Sequence, residues 1–514
     1  MQLNSIAVLG GGPGGLYAAR LLKLSHPLAK VTVYEQGDPD KTFGFGVGLA
    51  SRTQHNLNVA DRPSLEGIVA ASRAHEMSMR VGDDAVVLAH GDLLAIGRAT
   101  LLSVLQQFAE DAGVELRFNE RRSVADLDAD LIVAADGINS ATRTELSDEF
   151  KPQIDTGEGL YLWCGTDFAL PSAIFVPVTT KHGAFVAHAY PYADDRSTFL
   201  IETDEATWQR AGFDKTTEET PATDSDQTSL NYLQEAFSDV LQGHQLIGNR
   251  TRWMRFRTIH CGSWHTRNIV LLGDAAHTAH YSIGSGTKLA MEDAIALDRA
   301  ILAADNLGDA FDAYELERRP AVDHLQSIAS RSMLWWESFP DRMNTMPVAQ
   351  LMLAYMTRAG KVAVGRFAES APDVARKGLA AFGNVDVSAV PGPGELIDWI
   401  LTRPLVHGER RFNSRIAPDS LRTEPSTQQV NFGSMPAWGE SADRLLASLT
   451  IAETYWLSGP HERDAVLSRM EFAERLRRRH PGVVVVEVPP DLRADAADGL
   501  VSERADLVSV VGST

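Results

Sequence analysis

Asn268-Ile269-Val270-Leu271-Leu272-Gly273-Asp274-Ala275-Ala276-His277, followed by Ser282-Ile283-Gly284-Ser285-Gly286-Thr287-Lys288, is the stretch around which the chain is organised. Its near-continuous apolar run reads as a buried strand. Gly273-Asp274 ends that strand and leaves a carboxylate in the crevice at its carboxyl end, where open α/β sheets bind ligands. Gly284, Ser285 and Gly286 let a backbone approach a flat ligand closely. They open a helix expected from Thr287 to about Ala303, with Leu289, Ala296, Leu297, Ala300 and Ile301 at helical spacing. A helix N-terminus aimed at a ligand favours negative charge there. Taken alone, Gly-Asp after a strand is an ordinary strand-to-helix turn. Two further motifs give it weight.

The first is N-terminal. Ser5–Leu9 reads as a strand, Gly10-Gly11-Gly12-Pro13-Gly14-Gly15 follows directly, and Leu16–Leu22 continues as a helix. This is G-x-G-x-x-G in its required context: Gly10 for the turn, Gly12 for approach to a pyrophosphate, Gly15 for helix-on-strand packing. A second strand, Val31–Tyr34, ends at Glu35, placing a carboxylate, with Gln36 beside it, where ribose hydroxyls would lie. Thr42–Gly48, which carries Phe45, Gly46 and Val47, is too rich in glycine for a stable element and reads as a loop passing the ligand. Arg98 precedes a helix from Ala99 to about Ala112, within reach of a phosphate or polyol chain.

The second partner is Asp136-Gly137 at the end of the strand Asp130–Ala134, with Ser140 and Arg143 on the following turn. From about 158 to 202 the pattern changes to successive strands without crossover helices, which predicts a largely antiparallel sheet inserted between the halves of the nucleotide domain. Thr216–Thr228 reads as loop and about 229–242 as helix. Arg250, Arg252, Arg255 and Arg257 cluster on a strand-like run; solvated strand edges are the plain reading, and contact with a phosphate-bearing tail the sharper one. Residues 308–385 read as helices, Pro391–Gly394 as a boundary, and 395–514 as a small α/β appendage in which Arg477-Arg478-Arg479 is the basic end of a helix. The expected domains are 1–155 and 261–390 for the dinucleotide, 156–260 for substrate, and 391–514 for the appendage.

The 514 residues are 44% hydrophobic, enough for a large core. Lys and Arg number 48 against 68 Asp and Glu, a formal charge of -20, which argues against nucleic-acid or anionic-membrane partners. Two cysteines, Cys164 and Cys261, make neither a disulfide framework nor a cysteine metal site. With no membrane-length apolar run and no leader pattern, a cytoplasmic protein is the expectation.

The three motifs in this order resemble the group A flavoprotein aromatic hydroxylases, the p-hydroxybenzoate hydroxylase fold. The resemblance covers about residues 1–385. It implies an FAD-binding α/β domain with an inserted β-sheet domain. The implied FAD contacts are Gly10, Gly12, Pro13, Gly14, Gly15, Glu35, Gln36, Phe45, Gly46, Val47, Arg98, Asp136, Gly273, Asp274, Gly284, Ser285, Gly286 and Thr287, with no metal. Within the family, Thr42–Val47, His182–Tyr192 and Ser282–Lys288 look like the salicylyl-CoA 5-hydroxylase and anthraniloyl-CoA branch. The loop Ser282–Lys288 departs from the G-Q-G-x-N pattern of many members.

The chemistry so implied is reduction of FAD by NADH or NADPH, addition of O2 at the flavin C4a position, and attack of the hydroperoxide on an electron-rich ring. The second nucleotide is a transient visitor, since the chain has one G-x-G-x-x-G. The implied partners are an aromatic acyl-CoA and O2, with a homodimer as the assembly to test. His188, Tyr190, His280 and Tyr281 are the candidate substrate-side residues; isolated histidines are more often structural, and His188 is favoured by its aromatic neighbours. Lys288 reads as a first-turn lysine with its charge in solvent. Larger members of the branch carry an FMN-binding barrel, of which Asn413–Ile416 is a faint echo. About 120 residues follow Pro393, too few for eight strands, so no FMN is expected. A flavin halogenase is the enzymatic alternative, though its W-x-W-x-I-P signature is absent; a flavin-fold protein without its cofactor is the non-catalytic one.

Overall fold

The computed structural model describes residues 1–39, 42, 44–49, 51–88, 93–284 and 286–511. The chain forms two compact units, residues 1–78 with 89–330, and residues 79–88 with 331–514.

In the first unit, β1 (Ser5–Leu9) leads through Gly10–Gly12 into α1 (Pro13–Ser25) and then β2 (Lys30–Glu35). β1 pairs in parallel with β2 on one side and with Leu131–Ala134 on the other, and that strand pairs in parallel with Ile269–Leu271. The register sets Leu9 beside Tyr34 and Ala134, and Ala134 beside Leu271. Parallel strands in this register must end together. Gly10, Ala135-Asp136 and Leu272-Gly273 therefore emerge side by side along one edge of the sheet. All three motif strands are buried, which accounts for their unbroken apolar character.

The inserted sheet is antiparallel, as expected. Its long strand Pro152–Thr166 pairs with Trp253–Cys261 and with Arg196–Thr203, and Gly183–Ala193 and Ala173–Thr180 continue the sheet. Its core gathers Phe185, Phe199, Phe213, Phe237 and Trp253.

Two local expectations are corrected, and one helix is added. Gly46–Leu49 is not loop but a strand, β3, paired antiparallel with Leu94–Gly97. Glycine is tolerated at 46 because a Cβ there would lie 2.8 Å from the Tyr192 ring, so packing replaces propensity. Ser51–Ala70 is a helix that the polar run did not announce; its break at Asp61 is where Arg20 of α1 makes a buried two-pronged ion pair. Part of the expected loop 216–228 belongs to the helix Phe213–Glu219. Asp226 then caps the next helix by accepting from the Ser229 amide, while also accepting from the Thr216 hydroxyl.

The second unit contains the helices Phe339–Met343, Val348–Thr357, Val364–Ser370 and Pro372–Gly383 and an α/β layer. In that layer Thr427–Asn431, Thr454–Ser458, Val483–Val488 and Leu507–Val510 pair in parallel in chain order. The helices Glu440–Ser448, Arg463–Arg479 and Arg493–Val501 connect them. Strand, helix and next strand in strict succession build a four-stranded parallel sheet of successive β/α units among the described residues. Arg477 is more than a basic helix end: its Nε lies 3.0 Å from buried Asp506.

Candidate active site

Four glycines in one turn have different tasks. Gly10 has φ +103°, and a Cβ there would stand 2.2 Å from the Ala135 carbonyl oxygen. At Gly15 it would stand 2.1 Å from the Gly10 carbonyl oxygen, and at Gly14 it would strike Leu272 and Ala290 at 2.7 and 2.9 Å. These three glycines let α1 pack against the strand ends and the Gly286–Ala303 helix. Gly12 is different: it is extended, and a Cβ would meet nothing within 4 Å. It faces open space at the N-terminus of a helix that begins with Pro13 and carries no acidic residue in its first turn. A cavity of ≈ 390 Å³ lies here, lined by Gly10, Gly12, Glu35, Gln36, Arg121 and Asp136 among others. The Glu35 carboxylate is fixed by accepting from the Gly11 and Gly37 amides, each at 2.7 Å.

Asp136 accepts from the Thr142 amide and hydroxyl through Oδ2, while its buried Oδ1 has no hydrogen-bond partner among the described residues. Arg143 latches two motifs together: its guanidinium donates to Ile138 O at 2.6 Å, Ala275 O at 2.8 Å and Asp274 O at 3.2 Å. Burial pushes the Asp274 carboxyl above its ordinary range, opposed by the nearby Arg98 charge. Arg98 in turn is pushed down by burial and supported by Asp274. Behind Gly273 lies Asp293, fully buried, which accepts from the Gly273 amide at 3.1 Å and pairs with His277 Nε2 at 2.8 Å and Arg318 Nε at 2.7 Å. Asp293 was not singled out from the sequence; an acid amid the apolar helix positions was the available signal.

At the helix Gly286–Ala303, a Cβ on Gly284 or Gly286 would meet nothing within 4 Å, and the first turn, where Thr287 sits, carries no acid. Ser285 lies outside the described residues, as does Phe43 of the Thr42–Val47 motif. Lys288 does not send its charge into solvent: its side chain is 15% exposed and its Nζ is 3.8 Å from Glu292. On β3, the Gly46 amide donates to Thr198 Oγ1 at 2.8 Å and its carbonyl accepts from the Tyr190 hydroxyl at 2.7 Å. Val47 pairs with Ile96, and Phe45 packs its ring on Gly165. Tyr190 thus anchors the strand that carries the ligand-side loop, and burial pushes its phenol up to about 12.

The other candidates meet Glu202, a residue that sequence reading passed over. Tyr281 donates its hydroxyl to Glu202 Oε1 at 2.8 Å, and His188 Nε2 lies 3.5 Å from the same oxygen. Tyr161 and Trp163 stack edge-on against Tyr281, with centroids at 4.9 and 6.0 Å, and Phe175 packs edge-on against His188 at 5.0 Å. His280 faces Phe256 and caps the turn Tyr281–Ile283 through Ser282. One acid within Phe199-Leu200-Ile201-Glu202 was the visible sign.

Three of the clustered arginines are engaged within the unit. Arg252 donates to Thr217 O at 2.5 Å, Arg255 pairs with Glu205 at 3.1 Å, and Arg257 donates to Asn139 Oδ1 at 2.7 Å. Arg250 is exposed.

Open space before Gly12, Gly284 and Gly286, an orphaned carboxylate oxygen at Asp136 and two acid-free helix N-termini fit a dinucleotide ending in a flat ring. Comparison with known proteins agrees. Residues 88–328 match the model of the FAD binding domain family. Salicyloyl-CoA 5-hydroxylase from Streptomyces sp is 42% identical over 374 residues, covering 70% of this chain and 71% of that protein. The 3-hydroxy-4-methyl-anthranilyl-[aryl-carrier protein] 5-monooxygenase of Streptosporangium sibiricum is 38% identical over 359 residues, covering 70% and 95%. Among solved structures, tetrameric 2-methyl-3-hydroxypyridine-5-carboxylic acid oxygenase shares the fold, with a TM-score of 0.53 at 19% identity over 74% of this chain and 98% of that one. No helix among the described residues is long and apolar enough to cross a membrane. The chain belongs to the FAD-dependent aromatic hydroxylases, and its cofactor is FAD.

Proposed function

We propose that this monooxygenase hydroxylates an aromatic acyl thioester, salicylyl-CoA, at ring carbon 5 to give gentisyl-CoA. The stoichiometry is one thioester, one O2, one NAD(P)H and one proton giving hydroxylated thioester, water and NAD(P)+. The observation that carries this reading is the 42% identity to a salicyloyl-CoA 5-hydroxylase across most of both chains. A relative named for a carrier-bound anthranilyl substrate supports an aromatic acid presented on a carrier.

In this reading Gly10–Gly15, Glu35, Gln36 and Asp136 hold the nucleotide end of FAD. Phe45–Val47, Arg98, Gly273, Asp274 and Gly284–Thr287 hold its ribityl and ring end. Reduced FAD with O2 supplies an electrophilic oxygen atom. The substrate must then present electron-rich carbon, and in a salicylyl ring carbon 5 lies para to the hydroxyl. In this reading His188 accepts the phenol proton, which raises the ring's electron donation. Glu202 holds His188 and Tyr281 in one network, and Tyr161, Trp163, Phe175 and Phe256 exclude water around it. Tyr190 and His280 act as positioning residues for β3 and the Tyr281 turn.

Steady-state kinetics with salicylyl-CoA, anthraniloyl-CoA and free salicylate, each with NADH and NADPH, tests the reading. Salicylyl-CoA should lead in kcat/KM, with Glu202→Gln lowering kcat and shifting its pH profile. Equal turnover of free salicylate overturns the thioester assignment. Anthraniloyl-CoA as the better substrate keeps the reaction class and changes the ring.

A further inference from the structure

Beside the ring end of the site lies a second cleft, of ≈ 600 Å³, lined by Gly44, Phe45, Arg98, Tyr192, Asn249 and Arg250 among others. In a chain with a formal charge of -20, no acidic side chain lines it among the described residues, and two arginines do. Arg98 stands where the cleft meets the Asp274 carboxyl.

Arg250 is presented by a tightly held turn. It has φ +53°, a left-handed backbone conformation unusual for a residue with a side chain. Both flanks are pinned. Asn249 donates its side-chain amide to Thr42 O at 2.8 Å and Gly44 O at 3.1 Å. Thr251 donates its hydroxyl to Trp163 O at 2.7 Å, accepts on that hydroxyl from the Asn249 amide at 2.9 Å, and donates its own amide to Ser225 Oγ at 3.1 Å. The neighbouring arginines 252, 255 and 257 are used inside the fold; the guanidinium of Arg250 has no hydrogen-bond or ion-pair partner among the described residues. A strained turn that points a free cation into an acid-free cleft is arranged for an anion.

We infer that this cleft receives the phosphate-bearing arm of the acyl-CoA, with Arg250 contacting a phosphate and the Tyr192 side of the cleft taking the pantetheine stem. This rests on the acyl-thioester reading above. Remote binding of that arm would hold the ring against the flavin and explain why a thioester serves better than the free acid. Phosphate chemistry is shared by the nicotinamide nucleotide, so the test separates the two.

Titrate FAD-loaded enzyme with free CoA by calorimetry, for wild type, Arg250→Gly and Arg250→Lys, and measure KM for salicylyl-CoA, salicylyl-pantetheine and NAD(P)H. Glycine fits the left-handed turn without strain, so its effect reports the lost guanidinium. Arg250→Gly should weaken CoA binding and raise KM for salicylyl-CoA about ten- to hundredfold. FAD content and the KM values for salicylyl-pantetheine and NAD(P)H should stay unchanged, and Arg250→Lys should recover part of the loss. Unaltered CoA binding in Arg250→Gly, no CoA binding by wild type, or a rise confined to NAD(P)H each overturns the assignment. CoA binding that depends on Arg250 without turnover of salicylyl-CoA would instead count against the proposed reaction and leave the cleft assignment standing.

Discussion

Both units bury charge, and they dispose of it differently. In the first, the aspartates at the strand ends are left incomplete: Asp136 keeps a buried oxygen without a hydrogen-bond partner among the described residues, and the Asp274 carboxyl is held above its ordinary range by burial. In the second, Glu474 lies within ion-pair distance of both Arg342 and Arg504, Arg477 pairs with Asp506, and Arg463 with Asp495. Those charges are ion-paired, although Glu474 Oε2 and Arg504 Nε and Nη2 are buried without a hydrogen-bond partner among the described residues. Glycines divide by position rather than by unit: Gly10 and Gly15 of the first unit and Gly459 and Gly482 of the second would each drive a Cβ into neighbouring atoms, whereas Gly12, Gly284 and Gly286 stand open at two helix N-termini. An unpartnered carboxylate oxygen marks a ligand site where it lines a cavity together with an open glycine, as Asp136 does with Gly12.

The strongest way to break this comparison is Gly12→Val against Gly15→Val. The Gly12 variant should fold and lose FAD, because its Cβ meets no protein atom within 4 Å and the side chain enters the ligand's space. The Gly15 variant should fail to fold, because its Cβ meets backbone at 2.1 Å. Flavin-to-protein absorbance ratios and apoprotein melting curves read both. A fully flavinylated Gly12→Val protein would remove the distinction.

The second unit supplies the next test. Burial raises the Asp498 carboxyl to about 7 from an ordinary 3.8, although it accepts a hydrogen bond from the Val364 amide at 2.8 Å. The fold therefore favours the neutral acid, so its stabilisation is complete below about pH 4 and is lost as pH rises through about 7. Asp498→Asn keeps the acceptor without the charge. It should match wild type near pH 4 and exceed it above pH 7, by up to about 4 kcal/mol. Chemical denaturation at several pH values checks this, and parallel pH curves would refute it. A smaller effect belongs to the first unit, where Asp274→Ala should weaken FAD binding by about 1.5–3 kcal/mol with the fold intact. Loss of folding there would make Asp274 a core residue instead.

Much of the first unit was readable because its motifs are local. Strand, glycine turn, helix and acid follow one another within 35 residues, and each has a backbone reason to be where it is. The middle sheet was visible from alternation. What escaped was set by distant partners. Ser51–Ala70 reads as polar because its helix is stabilised at Asp61 by an arginine 41 positions away. Glu202 meets His188 through an antiparallel pairing, and Asp293 and the latch of Arg143 depend on residues far along the chain that only the fold brings together. Gly46–Leu49 became strand because Leu94–Gly97 lies beside it, not because its own residues favour extension. Lys288 lost most of its solvent because it lies against Glu292, one turn along, whose side chain is only 10% exposed.

What the first unit does with the aromatic cluster around Tyr281 and His188 decides its function. The direct test is the product formed by purified, FAD-loaded enzyme from salicylyl-CoA and NAD(P)H under 18O2, read by mass spectrometry and ring NMR. The account expects intact CoA thioester carrying one 18O at ring carbon 5. Oxygen at carbon 3, oxygen derived from water, or NAD(P)H consumed with peroxide as the sole product would contradict it.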